Sequence, residues 1–233
     1  MKRFYKEVSI SENEDGKYTI LLDGKTIKTP VGGELLVPTE KLANLIASEW
    51  DNIADDEDIN PSNMEYMCYT STATDKIAPN KDAVIEEMCS YAMNDVICYR
   101  NQSDGELYDM QFNAWNELYK WATDELNMPL EITYDLMPIE QDKQVYISAK
   151  EICQRMDEFE LTSFADFVNH FGSFVIAYAV IKGNITVEAG FYKANIDEFF
   201  QNQKWGVDEE IEQERNMIKE SLQKNLIFYK SVK

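Results

Sequence analysis

The chain has 233 residues and 44% hydrophobic content, enough for one large domain or two small ones around a substantial core. Its 43 acidic and 22 basic residues leave a net charge of −21, which argues against nucleic acid or an anionic membrane surface as a partner, since both need clustered lysine and arginine. Four cysteines without a CxxC pair, and His170 as the single histidine, disfavour a disulfide lattice and a zinc site and suit a reducing compartment.

The start, Arg3-Phe4-Tyr5, runs into a strand-like pattern without an apolar leader core. No run of about 18 apolar residues follows, so no membrane insertion is expected. Residues 4–37 predict a β meander with strands at 4–10, 18–22, 25–29 and 34–37. Asp23-Gly24 is the strongest hairpin signal in it. Pro38-Thr39-Glu40 predicts a helix start with Thr39 as N-cap. Leu42, Leu45, Ile46, Trp50 and Ile53 then share one helical face, which would cover the sheet and put Trp50 in the core.

From Lys81 onward the pattern is helical almost to the end. One stripe carries Val84, Met88, Tyr91 and Ala92, and a longer one runs from Leu107 to Ala122 before Pro129. Residues 130–134 predict a short strand, and Ser148 a cap for the helix carrying Ile152, Cys153 and Met156. The most hydrophobic stretch, 161–182, reads as a buried central helix or helix pair around Gly172. A helix at 196–205 places Ile196, Phe199 and Phe200 on one side and Asp197, Gln201 and Lys204 on another. Trp205 and Gly206 then form a corner, and Asp208-Glu209-Glu210 start a last helix on its own acids. The expected fold class is α+β: an N-terminal β-rich domain with a covering helix (residues 1–80), followed by an all-α helical bundle domain (81–233).

No catalytic set emerges from these elements. His170 has no second imidazole to work with, and no glycine-rich loop is present to cradle phosphate. Asp197, Glu198 and Asp208–Glu210 are acids at helix ends, where acids are the ordinary surface, so no metal site is expected. Cys98 beside Arg100 is the one enzyme alternative, a thiolate stabilised by its neighbour in a small acidic cytosolic enzyme. The balance favours a binding protein without a cofactor.

Several blocks carry a resemblance from end to end: Arg3-Phe4-Tyr5, Leu22-Asp23-Gly24-Lys25, Lys28-Thr29-Pro30, Val37-Pro38-Thr39, Glu49-Trp50-Asp51, Asp95 with Cys98-Tyr99-Arg100, Gln111 with Trp115, Trp121, Gly172-Ser173, and Asp197-Glu198, Gln201 and Lys204-Trp205-Gly206. In this order and spacing the chain resembles the assembly chaperones of the F-type ATP synthase, the family that protects the alpha subunit of the catalytic head. It departs from the family at Trp115-Asn116-Glu117 and at residues 69–74. The resemblance implies a non-enzymatic, monomeric holder of the unassembled alpha subunit that releases it to the beta subunit. It also implies a bacterial cytoplasm or a mitochondrial matrix as location. Asp197 and Glu198 are then the expected recognition acids and Gln201 their hydrogen-bonding neighbour, with Trp205 and Gly206 shaping the corner.

Overall fold

A computed structural model describes residues 2–55, 57–102, 105–135 and 137–233. The chain divides into two compact units. The first comprises Met1–Lys81, Asp157–Ser163 and Lys224–Lys233, and the second Asp82–Met156 and Phe164–Gln223.

In the first unit, strands β1 (Val8–Glu12), β2 (Tyr18–Leu22) and β3 (Lys25–Thr26) form an antiparallel sheet in the order β1-β2-β3. Leu22 pairs with Lys25, and the two residues between them have positive φ, 47° at Asp23 and 77° at Gly24. This is the twist a two-residue hairpin requires, and it explains the Asp-Gly pair. The Asp23 carboxylate also accepts from the Lys6 and Glu7 amides, at 3.0 and 2.9 Å. These bonds hold its pKa below the usual carboxylate range.

The sheet is smaller than the sequence predicts. The first strand starts at Val8 rather than Phe4, and residues 28–37 contribute only the isolated bridges Lys28–Glu34 and Tyr18–Val37. The turn through Pro30 and Gly32 interrupts the ladder, because proline has no amide to donate. Residues 3–5 have another role: the Arg3 guanidinium donates to the Asp51 and Ile53 carbonyls at 2.9 and 2.5 Å, satisfying acceptors at the end of α1.

Helix α1 (Glu40–Asp51) begins as expected, with Thr39 Oγ1 accepting from the Leu42 amide. Leu42, Ala43, Ile46 and Trp50 face inward and join Ile20, Leu22, Leu35, Val37, Phe159 and Phe228 in one core cluster. Next comes α2 (Glu65–Thr72), which carries no side-chain cap of its own. Its first amides are taken instead by Glu49 of α1, which accepts from Tyr66 at 2.7 Å and Met67 at 3.0 Å. Burial pushes the Glu49 carboxyl up from 4.5 to about 7, against the pull of these two amides.

The folded state therefore holds this proton more tightly than the unfolded chain. The stabilisation from Glu49 is complete below about pH 4.5 and is lost as pH rises through about 7. Glu49→Gln should compare with the parent protein more favourably at pH 8 than at pH 5. Paired thermal melts at the two pH values check this, and a pH-independent difference would mean that Glu49 ionises normally in the fold.

The second unit is helical: α3 (Lys81–Met93), α4 (Glu106–Glu125), α5 (Lys143–Gln154), α6 (Glu158–Phe171), α7 (Phe174–Ile181), α8 (Val187–Ala194), α9 (Ile196–Trp205) and α10 (Glu209–Ser231), of which α3, α6 and α10 share residues with the first unit. Trp115, Phe164, Phe167 and Phe174 are fully buried here, with Phe164 edge-on to Phe174 at 4.9 Å. The apolar stretch at 161–182 is a helix pair. The chain breaks at Gly172, φ 59°, and Ser173 caps α7 by accepting from Ile176 at 2.9 Å. Two local expectations change. Asp142, not Ser148, caps α5, and the Ser148 hydroxyl donates to the Asn127 carbonyl instead. Residues 130–134 make a single bridge, Thr133 to Tyr99, rather than a strand. Trp115-Asn116-Glu117 lies in regular helix within α4.

Candidate functional site

Asp95 anchors the site from below. It is wholly buried, and its carboxylate accepts from the Ile97 amide (3.2 Å), the Ser173 hydroxyl (2.7 Å) and the Val175 amide (2.9 Å). Burial raises its pKa to about 6 in spite of these donors. The carboxylate thus ties the turn at 95–98 to the start of α7, which is why Asp95 and Gly172-Ser173 belong together although they are far apart in the chain.

Above that turn, Cys98, Tyr99 and Arg100 run alongside Thr133. The Thr133 amide donates to the Cys98 carbonyl at 2.8 Å, and the Arg100 amide donates to the Thr133 carbonyl at 2.9 Å. Cys98 is fully buried, and burial first, then the nearby Asp95 carboxylate, push its thiol far above the ordinary range. Such a sulfur is protonated and sealed from solvent, so the thiolate that the enzyme alternative needs has no support in the structure. His170 stands at the surface, its Nδ1 2.9 Å from the Asp166 carbonyl.

Gln111 of α4 joins the next segment to α9. It is 2% exposed; its Oε1 accepts from the Asn101 amide at 2.7 Å, and its Nε2 donates to Asp197 Oδ1 at 2.7 Å. One turn further along α4, Trp115 Nε1 donates to the Lys193 carbonyl, also at 2.7 Å. Between these elements lies a cleft of about 330 Å³, walled by Tyr99, Arg100, Gln111, Tyr134, Asp135 and Asp197. The structure thus brings Arg100, Gln111 and Asp197 together. Arg100 and Gln111 were visible in the sequence only as separate blocks.

Glu198, the neighbour of Asp197, faces α10. Its carboxylate meets Arg215 Nη2 at 2.6 Å, with the arginine side chain 9% and the glutamate 46% exposed. The Arg215 guanidinium also lies over the Phe199 ring, 5.0 Å from its centre. Gln201 is exposed, and its amide makes no hydrogen bond among the described residues. Helix α9 ends at Gly206, φ 85°, a conformation an L side chain resists. Asp208 then caps the next helix by accepting from the Glu210 amide at 2.8 Å.

Trp205, read from the sequence as packing into the corner, stands in solvent at 78% exposure, with Val207 and Ile211 also exposed beyond it. The corner is held instead by Gly206 and by the Glu198–Arg215 ion pair. Sequence reasoning missed Arg215 as a partner. The available signal was a cation set at helical spacing between Ile211 and Ile218 in the last helix.

The family model for the ATP12 chaperone protein matches residues 2–123. The crystal structure of Atp12 from Paracoccus denitrificans superposes with a TM-score of 0.92 at 33% identity, covering 100% of this chain and 98% of that one. Mitochondrial atp12 of Schizosaccharomyces pombe is 23% identical over 88% of this chain and 74% of its own length. Mitochondrial ATP12 of Saccharomyces cerevisiae is 22% identical over 97% of this chain and 81% of its own. A small antiparallel sheet followed by this helical array is thus the architecture of a chaperone. The chain belongs to the ATP12 chaperone protein family. No helix among the described residues is long and apolar enough to cross a membrane.

Proposed function

We infer that this chain holds the unassembled alpha subunit of the F-type ATP synthase catalytic head, without catalysing a reaction, and releases it when the beta subunit arrives. An orphan subunit of an obligate assembly exposes an apolar interface that aggregates unless covered. The observation that carries the reading is the corner between α9 and α10. There Trp205, at 78% exposure, together with Val207 and Ile211, follows closely on the acids Asp197 and Glu198. A large indole standing in water at the end of a helix whose first turn carries carboxylates supplies what a protein-binding surface needs, an aromatic anchor and charges that set orientation. On this reading Asp197 and Glu198 meet cations of the client and Gln201 supplies a neutral hydrogen-bonding neighbour. The site of action is a bacterial cytoplasm or a mitochondrial matrix.

The test is aggregation suppression with separately denatured alpha and beta subunits, read by light scattering. The chain should keep alpha in solution and leave beta largely unprotected. Equal protection of both, or of neither, would overturn the reading.

A further inference from the structure

Arg100 is a buried cation at the cleft, and among the described residues it is answered only by the Ile97 carbonyl and, 5.6 Å away, by the Tyr119 ring. A guanidinium carries five N–H donors. Arg100 is only 6% exposed, yet of its guanidinium nitrogens only Nε has an acceptor, the Ile97 carbonyl at 3.2 Å. Nη1 and Nη2 meet none among the described residues, and Nη2 is closed off from solvent. In a chain with 43 acids, no carboxylate among the described residues lies within 4.0 Å of this guanidinium. The side chains that act on its charge are instead the phenols of Tyr108, Tyr119 and Tyr134 and the Cys98 thiol. A buried cation with open donors is unfavourable unless a partner arrives. The cleft that Arg100 walls is the place such a partner would enter.

We propose that this cleft binds an acidic side chain of the client protein, its carboxylate received by the Nη1 group of Arg100. The inference rests on the reading of the chain as a holder of an unassembled subunit, and names one contact within it. A guanidinium N–H donates a strong, charge-assisted hydrogen bond to a carboxylate oxygen. The occupant is a protein segment, because Asp135 and Asp197 wall the same cleft and the chain carries a net charge of −21. That field repels a free multivalent anion such as phosphate on its approach. A client segment with a basic residue beside its acidic one answers both charges: the cation meets Asp197, whose Oδ2 has no hydrogen-bond donor among the described residues, and the acid meets Arg100. Tyr134, 49% exposed at the same cleft, adds an amphipathic ring of the kind enriched at protein interfaces.

The experiment has two arms. In the first, the whole protein is titrated with the peptide acetyl-Lys-Glu-Lys-amide, with its glutamine counterpart, and with inorganic phosphate. The Arg100 Nε–H and Tyr134 NMR signals are followed. The glutamate peptide should move both signals, the other two probes should not, and Arg100→Met should abolish the response. In the second arm, Arg100→Met should weaken alpha-subunit binding by roughly 30-fold or more. Its melting temperature should be unchanged or higher, because an apolar chain of similar length replaces an unpaired buried charge.

Arg100→Lys keeps the charge but places its ammonium differently from Nη1, and should recover only part of the binding. A response to phosphate and not to the peptide overturns the proposal in favour of a free anion. No response to any probe means that solvent serves the open donors, and overturns it as well. A glutamate-peptide response together with no binding of the alpha subunit upholds the cleft and removes only the proposed client.

Discussion

Trp50→Arg is expected to abolish soluble, cooperatively folding protein. Trp50 is 8% exposed in the core of the first unit, with its ring edge-on to Tyr5 at 5.7 Å. Tyr5 in turn donates its hydroxyl to the Trp50 carbonyl at 2.6 Å, so the end of α1 and the N-terminal segment are locked at this residue. Losing a core aromatic costs about 3–5 kcal/mol, against a total stability of about 5–15 kcal/mol for a whole domain. The arginine adds a cation to a site whose walls already carry Lys25 and Lys28. Those like charges oppose it. Soluble yield and a thermal melt check the expectation, with Trp50→Phe as the variant that keeps an apolar ring and should still fold. A normal melting temperature for Trp50→Arg would mean that the indole contributes little to this core.

The second large effect is expected at Glu198, where fold and recognition must be separated. Glu198→Lys sets two cations together at Arg215, which has little solvent to retreat into. Removing the partner of a mostly buried arginine, with the glutamate half-exposed, should cost about 1–2 kcal/mol of stability, below the range for fully buried pairs. Client binding should fall further than that loss explains, because an attractive charge at the interface becomes a repulsive one. The deciding variant is the exchange Glu198→Lys with Arg215→Glu, which restores the ion pair in reverse. It should recover the melting temperature and leave alpha-subunit binding impaired. Recovery of both would assign Glu198 to holding the corner alone and move recognition to Asp197 and the cleft. Trp205→Ala makes a useful companion. With the indole 78% exposed, the variant should melt like the parent protein and bind the client more weakly.

Holding and releasing a subunit also suits the chemistry of this corner. The exposed apolar side chains are one indole and two aliphatic groups, and Glu198 is half-solvated and already shared within the chain with Arg215. On the proposed function, such a surface would cover an apolar interface without matching the area and burial of the permanent subunit contact, so that the true partner could displace it.

What the sequence determined by itself was whatever rests on neighbours in the chain. The α+β class follows from alternation giving way to helical periodicity. The Asp23-Gly24 hairpin, the Thr39 cap and the Gly206 corner follow from backbone preferences of single residues, and all three are present in the structure. The tertiary structure decided what depends on partners distant in sequence. Whether residues 28–37 formed a ladder or two bridges depended on the turn through Pro30 and Gly32 and on partners across the sheet. Glu49 reaches from one helix to cap another, 17 residues on. Asp197 meets Gln111 across 86 residues, and together with Arg100 they wall one cleft. A carboxylate, an amide and a guanidinium look alike in sequence whether they end in solvent or against each other. Periodicity marks which face of a helix is apolar, but not which other element arrives there. For the same reason Trp205, apolar by composition, could be placed in solvent only by the fold, which turns α9 so that Ile196 is buried and the indole at its far end is not.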